Sequence, residues 1–311
     1  MSLHRLLGLH AVVPDPAALC AFYAELGLTG DAGTGFAGTD GGATVTVSEG
    51  PFRRLASVGV GCEDEADLGT IAARLEGLGA GATRTDGTLS VVDPASRVRF
   101  EVRPCGPPPA QAAPTLVVPN APGSVVRPDR RAPAVREGPR PPRRLGHLVI
   151  GTPDLAASVA LLTAGLGFRL SDSVEGVIAF LRCSTDHHNV AFVESPVPLL
   201  QHYSWECDDI DHVGHTATAL YRADPDRHVW GMGRHFAGSN FYWYLADPAG
   251  SFIELYSDLD QILDDEAWEA DGRTEFTFEH VANSWGPNLP LEFLVPDDLD
   301  ALRAGWERWP S

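Results

Sequence analysis

The sequence predicts an α+β chain made of two tandem copies of one strand–helix–strand pattern, and three observations carry that expectation. The copies open alike, Arg5-Leu6-Leu7-Gly8-Leu9 matching Arg143-Arg144-Leu145-Gly146-His147. They close alike, Val91-Val92-Asp93-Pro94-Ala95 matching Tyr244-Leu245-Ala246-Asp247-Pro248-Ala249-Gly250. Between them, residues 104–142 hold 12 of the chain's 25 prolines, a density that denies both helix and central strand.

In each copy the opening residues lead into an apolar, β-branched run of strand character, His10 to Val13 and Leu148 to Ile150. Each run meets a Pro-Asp step, Pro14-Asp15 and Pro153-Asp154, whose Asp is suited to accept an N–H of a first helical turn. Ala17 to Leu26 and Leu155 to Leu166 then carry apolar residues at helical spacing. Gly27 and Gly167 supply the left-handed stop. The closing segments read as strand, tight Asp-Pro turn and strand, the last strands being Val98 to Val102 and Phe252 to Leu255. Each copy is thus about βαβββ and roughly 100–115 residues long, a repeat whose units pack against each other.

The expected organisation is an N-terminal domain at residues 1–103, a Pro/Arg-rich linker at 104–142, a C-terminal metal-binding domain at 143–258 and a tail at 259–311 that covers the site. Arg127, Arg130, Arg131, Arg136 and Arg140 of the linker are expected to be solvated rather than docked on the acidic body.

Composition bounds the function. The chain has 311 residues, 44% of them hydrophobic, which suits two packed cores. No run of about 18 apolar residues occurs, so a membrane span is not expected, and the N-terminus lacks a signal-peptide pattern. A cytoplasmic location follows as the expectation. The five cysteines are scattered without a Cys-x-x-Cys pair, which argues against a disulfide framework and a structural zinc site. The net charge of −19 argues against a nucleic-acid partner. A small uncharged or aromatic substrate fits better.

One ligand set stands out. Phe252-Ile253-Glu254-Leu255 places a carboxylate inside an apolar strand, where it needs a metal, a cation or a raised pKa. His147 and His202 each read singly as strand histidines satisfied by a neighbour, or as ligands. Together with Glu254 they make the two-histidine, one-carboxylate set that holds non-haem Fe(II) and leaves a face open. The first copy is an internal control, with Leu9 where His147 stands and Phe100 where Glu254 stands. His10 and Glu101 are one residue off, and a one-residue shift turns a strand side chain to the opposite face. The N-terminal copy is therefore expected to lack metal. His212 and His215, three apart on a helix expected over 209–221, are expected to be solvated. His4, His10, His228 and His280 carry no role.

The motifs of residues 143–258 occur in a telling order: Leu145-Gly146-His147, Asp186-His187-His188, Gln201-His202-Tyr203-Ser204-Trp205-Glu206, Gly233-Arg234-His235, Tyr244 to Gly250, and Phe252-Ile253-Glu254. With Trp285-Gly286-Pro287 in the tail, the chain resembles the vicinal oxygen chelate superfamily and, within it, the two-domain type I extradiol catechol dioxygenases. The resemblance spans nearly all the chain but is specific only in 143–258. It implies paired βαβββ modules forming cupped mixed sheets, with Fe(II) (Mn(II) being possible) on His147, His202 and Glu254 inside the C-terminal cup.

It implies further roles. His188 would act beside bound oxygen, with His187 structural. Tyr244 would hydrogen-bond the catechol or help take its proton, Tyr242 being the alternative, and His235 would contact substrate at the pocket mouth. Ile178, Phe180, Phe192 and the tail near Trp285 would line the pocket. The implied reaction cleaves a catechol-type diol beside its vicinal hydroxyls with both atoms of O2, in an enzyme that commonly oligomerises. Two other readings share the fold: a metal-dependent lyase, isomerase or thiol transferase, and a non-catalytic small-molecule sequestration protein.

Overall fold

The computed structural model describes residues 2–106, 111, 113–114, 118–271 and 282–309. Its N-terminal half runs β1 (Leu3–Val13), α1 (Pro16–Glu25), β2 (Thr29–Asp31), β3 (Gly35–Ala37) and β4 (Thr44–Glu49), then β5 (Arg54–Cys62), α2 (Glu65–Gly77), β6 (Thr83–Thr85), β7 (Thr88–Val92) and β8 (Arg99–Pro104). The C-terminal half repeats the order. β9 (Arg144–Thr152), α3 (Leu155–Ala160), β10 (Arg169–Val174), β11 (Ile178–Arg182) and β12 (Val190–Glu194) precede β13 (Leu199–Glu206), α4 (Ile210–Ala223), β14 (His228–Arg234), β15 (Phe241–Ala246) and β16 (Phe252–Ser257). A tail adds α5 (Asp265–Ala270), α6 (Leu291–Leu294) and α7 (Leu299–Arg308).

Among the described residues there are two eight-stranded sheets of identical topology, β2-β3-β4-β1-β5-β8-β7-β6 and β10-β11-β12-β9-β13-β16-β15-β14. Each is a pair of βαβββ modules joined where two long strands run antiparallel, β1 on β5 and β9 on β13. The sequence pattern alone suggests one such module per copy. In the first half, β2, β3 and β6 are only three residues each, too short to display a period.

The expected helix starts hold. Asp15 accepts the Ala18 N–H at 3.0 Å and Asp154 the Ala157 N–H at 2.9 Å, satisfying donors the first turn cannot. Gly27 and Gly167 take φ of 84° and 90°, the left-handed stop. Beyond Ala160, α3 widens into a π-helical turn, Leu161–Leu166.

The two sheets share one apolar core that runs from Leu3 to Leu255. Phe100 and Phe192 meet across it at 6.5 Å, and Tyr23 donates to Tyr203, which donates to Asp247. Asp93, the first copy's turn aspartate, in turn accepts from Ser158 of the second half at 2.6 Å. Each Asp-Pro turn is thereby tied into the other half of the molecule.

Two expectations are corrected. His212 is buried, and with Thr216 it reaches the Arg140 carbonyl, while His215 reaches that of Ala134. These helix histidines anchor the linker instead of facing water. Arg140 is also not free, pairing with Asp208 at 2.9 Å, whereas Arg130, Arg131 and Arg136 are exposed as expected. His280 lies outside the described residues, as do parts of the linker. No helix among the described residues is long and apolar enough to cross a membrane.

Candidate metal centre

Sheet register brings the three presumed ligands together. In β13, Ser204 lies opposite His147 of β9 on one side and opposite Glu254 of β16 on the other. His202, two residues before Ser204, projects to the same face because strand side chains alternate. All three are buried, and their ligand atoms lie within 4.8 Å of one another. His147 Nε2 is 2.7 Å and His202 Nε2 3.7 Å from one oxygen of Glu254.

Burial pushes the Glu254 carboxyl up, but His147, His235 and His202 outweigh it and hold the carboxyl well below its usual range. Burial pushes the His202 imidazole down to about 3, against the opposing pull of Glu254. The donors are therefore two histidines, the second held neutral, and a charged carboxylate. That set suits a divalent transition metal, and the buried anion calls for a cation beside it. Fe(II) or Mn(II) fits the residues present.

The other presumed site residues surround this cluster. The His188 ring sits 4.2 Å from that of His147, and burial, followed by the nearby His147, lowers its pKa well below the ordinary value. Its Nδ1 lies 3.0 Å from Nδ1 of His187, whose Nε2 is 2.7 Å from Asp172. His187 thus links His188 to a buried acid. Tyr244 lies opposite Glu254 in the β15–β16 pair, and burial together with that carboxylate raises its phenol well above the usual value.

His235 Nδ1 is 2.6 Å from the carbonyl of Ala282, which can only accept, so Nδ1 carries the hydrogen. Its Nε2 therefore accepts from the Tyr244 hydroxyl, 2.9 Å away. Tyr242 stacks on the His235 ring at 3.9 Å and donates to Asn283, away from the metal cluster. Of the two tyrosines, it is Tyr244 that faces the cavity.

The cluster opens on a cavity of about 310 Å³. Ile178 and Phe180 line it as expected, and Phe192 does not, because β11 pairs Phe180 with Ala191 and Ile178 with Val193. Phe192 therefore points into the shared core. Trp285 is half exposed and outside the cavity, and the tail contributes Ala282, Leu289, Phe293, Leu294 and Pro296.

Four polar or aromatic residues of the site escaped sequence reasoning. Ser204 donates to Glu254 at 2.7 Å and Asn240 to its other oxygen at 2.9 Å. Trp230 stacks on Tyr244, and Gln201 contacts both His202 and the tail. Only Ser204 had a signal, its two-residue spacing from His202. The others act through chain segments distant in sequence.

In the first sheet the same register runs Leu9, Val58, Phe100, with Val91 opposite Phe100. A register shift after His10 then sets Leu55 opposite Ala11, where the second sheet sets His202 opposite Val149. No metal-binding group of histidine, cysteine or acid forms there among the described residues.

Comparisons with known proteins agree with this fold. Residues 144–255 match the family described as the Glyoxalase/Bleomycin resistance protein/Dioxygenase superfamily. Over 155 residues the chain is 37% identical to Metapyrocatechase 2 of Cupriavidus necator, an alignment covering 49% of this chain and 47% of that protein. The chain thus spans about half the length of that relative. Among solved structures, homoprotocatechuate 2,3-dioxygenase from Brevibacterium fuscum, in complex with 3,4-dihydroxyphenylacetate, superposes with a TM-score of 0.73 at 19% identity, covering 94% of this chain and 92% of that one. The Mn(II)-bound glyoxalase from Novosphingobium aromaticivorans gives 0.71 at 22% identity, covering 93% of each. At these identities the two structures establish the fold. The match to the Glyoxalase/Bleomycin resistance protein/Dioxygenase superfamily thus covers residues 144–255, and over the rest of the chain the likeness to solved structures is one of fold.

Proposed function

We propose that the protein is an Fe(II)-dependent extradiol dioxygenase that opens a catechol-type ring beside its two hydroxyls. The observation that carries this reading is the placement of His188, Tyr244 and His235 around the open side of the His147–His202–Glu254 cluster, within an apolar cavity. Likeness to Metapyrocatechase 2 supports it.

When bound, Fe(II) supplies a Lewis-acidic, redox-active centre with open positions on the face away from its protein ligands. The chain's own residues do the rest. Val149, Phe180 and Ile178 on one side and Phe293 and Trp230 on the other form a slot for a flat ring and exclude water. The Tyr244 hydroxyl, held by His235 Nε2, is placed to hydrogen-bond a diol oxygen. With one proton committed to Ala282, His235 Nε2 is the acceptor to which a diol proton can pass through that phenol. His188 borders the cavity beside His147.

The direct test supplies a panel of catechols in air to protein reloaded anaerobically with Fe(II). Oxygen uptake with a yellow ring-fission product is the expected result. Absence of uptake across the panel, or turnover of a non-catechol substrate without oxygen, overturns the proposal.

A further inference from the structure

The residue before the metal ligand His202 makes two contacts that join the metal centre to the tail. Gln201 Nε2 donates to the backbone carbonyl of Phe293 at 2.9 Å. Gln201 Oε1 meets Nδ1 of His202. A carbonyl can only accept, so the amide nitrogen must face Phe293 and the amide oxygen must face His202. The oxygen in turn requires the hydrogen of His202 on Nδ1, which leaves Nε2 with its lone pair on the side of Glu254. One backbone carbonyl of the tail therefore fixes the tautomer and ring orientation of a residue two contacts away.

The same tail segment is a wall of the cavity. Phe293 stacks nearly parallel on Phe252 at 5.4 Å and packs on Tyr244 at 4.7 Å and His202 at 5.9 Å. Leu294 and Pro296 continue the wall, while Leu291 is largely exposed. A short helix, α6, with no buried residue of its own, is held mainly by what Phe293 touches.

We infer that Gln201 is a positioning residue that couples seating of the tail over the cavity to presentation of His202 to the metal. The tail is then a part of the metal site and not only its cover. A ring that packs against Phe293 steadies the carbonyl that orients Gln201, so substrate and metal favour the same arrangement. This inference rests on reading His202 as a ligand.

The test titrates full-length protein with Mn(II) alone, following loss of the free-ion paramagnetic resonance signal, and measures hydrogen exchange of amides 289–296. Outer-shell partners of a ligating histidine typically contribute ~10–100-fold in affinity. Gln201→Met, which cannot donate and accepts only weakly, should bind Mn(II) at least about tenfold more weakly and exchange faster at 289–296. Gln201→Glu still accepts from His202 but cannot hold the Phe293 carbonyl. It should keep Mn(II) affinity within about threefold and still exchange faster, a split that a general packing defect does not give.

Unchanged Mn(II) binding in Gln201→Met, or unchanged exchange in Gln201→Glu, overturns the inference. His202→Ala separates the two layers. If it binds Mn(II) like the unaltered protein, the ligand reading itself fails. If it loses Mn(II) while Gln201→Met does not, only the coupling through Gln201 is wrong.

Discussion

The two sheets of this chain have the same strand order, yet among the described residues only one gathers histidines and a carboxylate that could hold a metal. Leu9 and Phe100 stand where His147 and Glu254 stand, and Leu55 faces Ala11 where His202 faces Val149. Leu9 and Phe100 complete a dry core, while their counterparts surround a cavity. The fold is thus compatible with either outcome, and three positions decide which it is. A buried carboxylate is tolerable in the second sheet because two histidines, Ser204 and Asn240 surround it. In the first sheet the same carboxylate would meet only hydrocarbon.

Removing the difference from the metal side should have the largest effect. Glu254→Gln is expected to abolish ring cleavage and to lower Mn(II) affinity by more than the ~10–100-fold typical of losing an outer-shell partner. Metal titration and oxygen uptake check this, and metal binding at full strength would remove Glu254 from the ligand set. Imposing the difference on the other sheet comes next. Phe100→Glu should destabilise the fold by about 3–5 kcal/mol, the usual cost of a buried charge without a partner, read as a fall in the urea midpoint. A loss below about 1 kcal/mol would mean that the first sheet can host a polar centre after all.

A third change leaves the ligands alone. Tyr244→Phe should lower turnover by about 10²-fold while leaving Mn(II) affinity unaltered, because in the proposed reaction the hydroxyl serves a proton and not the metal. Equal losses in both would place Tyr244 in the structure of the site rather than its chemistry.

A fourth test concerns the turn aspartates. Burial pushes the Asp247 carboxyl up to about 6, the Tyr203 hydroxyl and the Arg53 guanidinium pulling the other way. A raised carboxyl binds its proton more tightly in the folded state than in the unfolded one. Its contribution is therefore full below about pH 4 and lost as pH rises through about 6, by up to ~3 kcal/mol. The stability of the unaltered protein relative to Asp247→Asn should fall across that window, measured by urea unfolding at pH 4 and pH 7. A flat difference would show that Asp247 is ionised throughout.

Much of the site was legible because strands alternate. The internal match of Leu9 with His147 and of Phe100 with Glu254 needed only counting, and register bears out the same pairs. The same alternation, applied to β11 and β12, would have sent Phe192 to the core and Ala191 to the cavity face. What stayed hidden depends on contacts far apart in sequence. Gln201 meets a carbonyl 92 residues away, and Asn240 reaches Glu254 from a loop. His212 and His215 misled for a related reason. Helical spacing says which residues share a face but not that the linker lies on it.

The shared core has one more consequence, for how the chain acquires its shape. Tyr23 bonds Tyr203 across 180 residues, and Asp93 accepts from Ser158 across 65. Contacts of such separation are slow to form, because loop closure comes before any gain from burial. During synthesis the first sheet emerges with apolar surface that only the second can cover. A metal held by His147, His202 and Glu254 would therefore wait for nearly the whole chain. Because the two sheets share one core, they should unfold in one transition rather than in sequence.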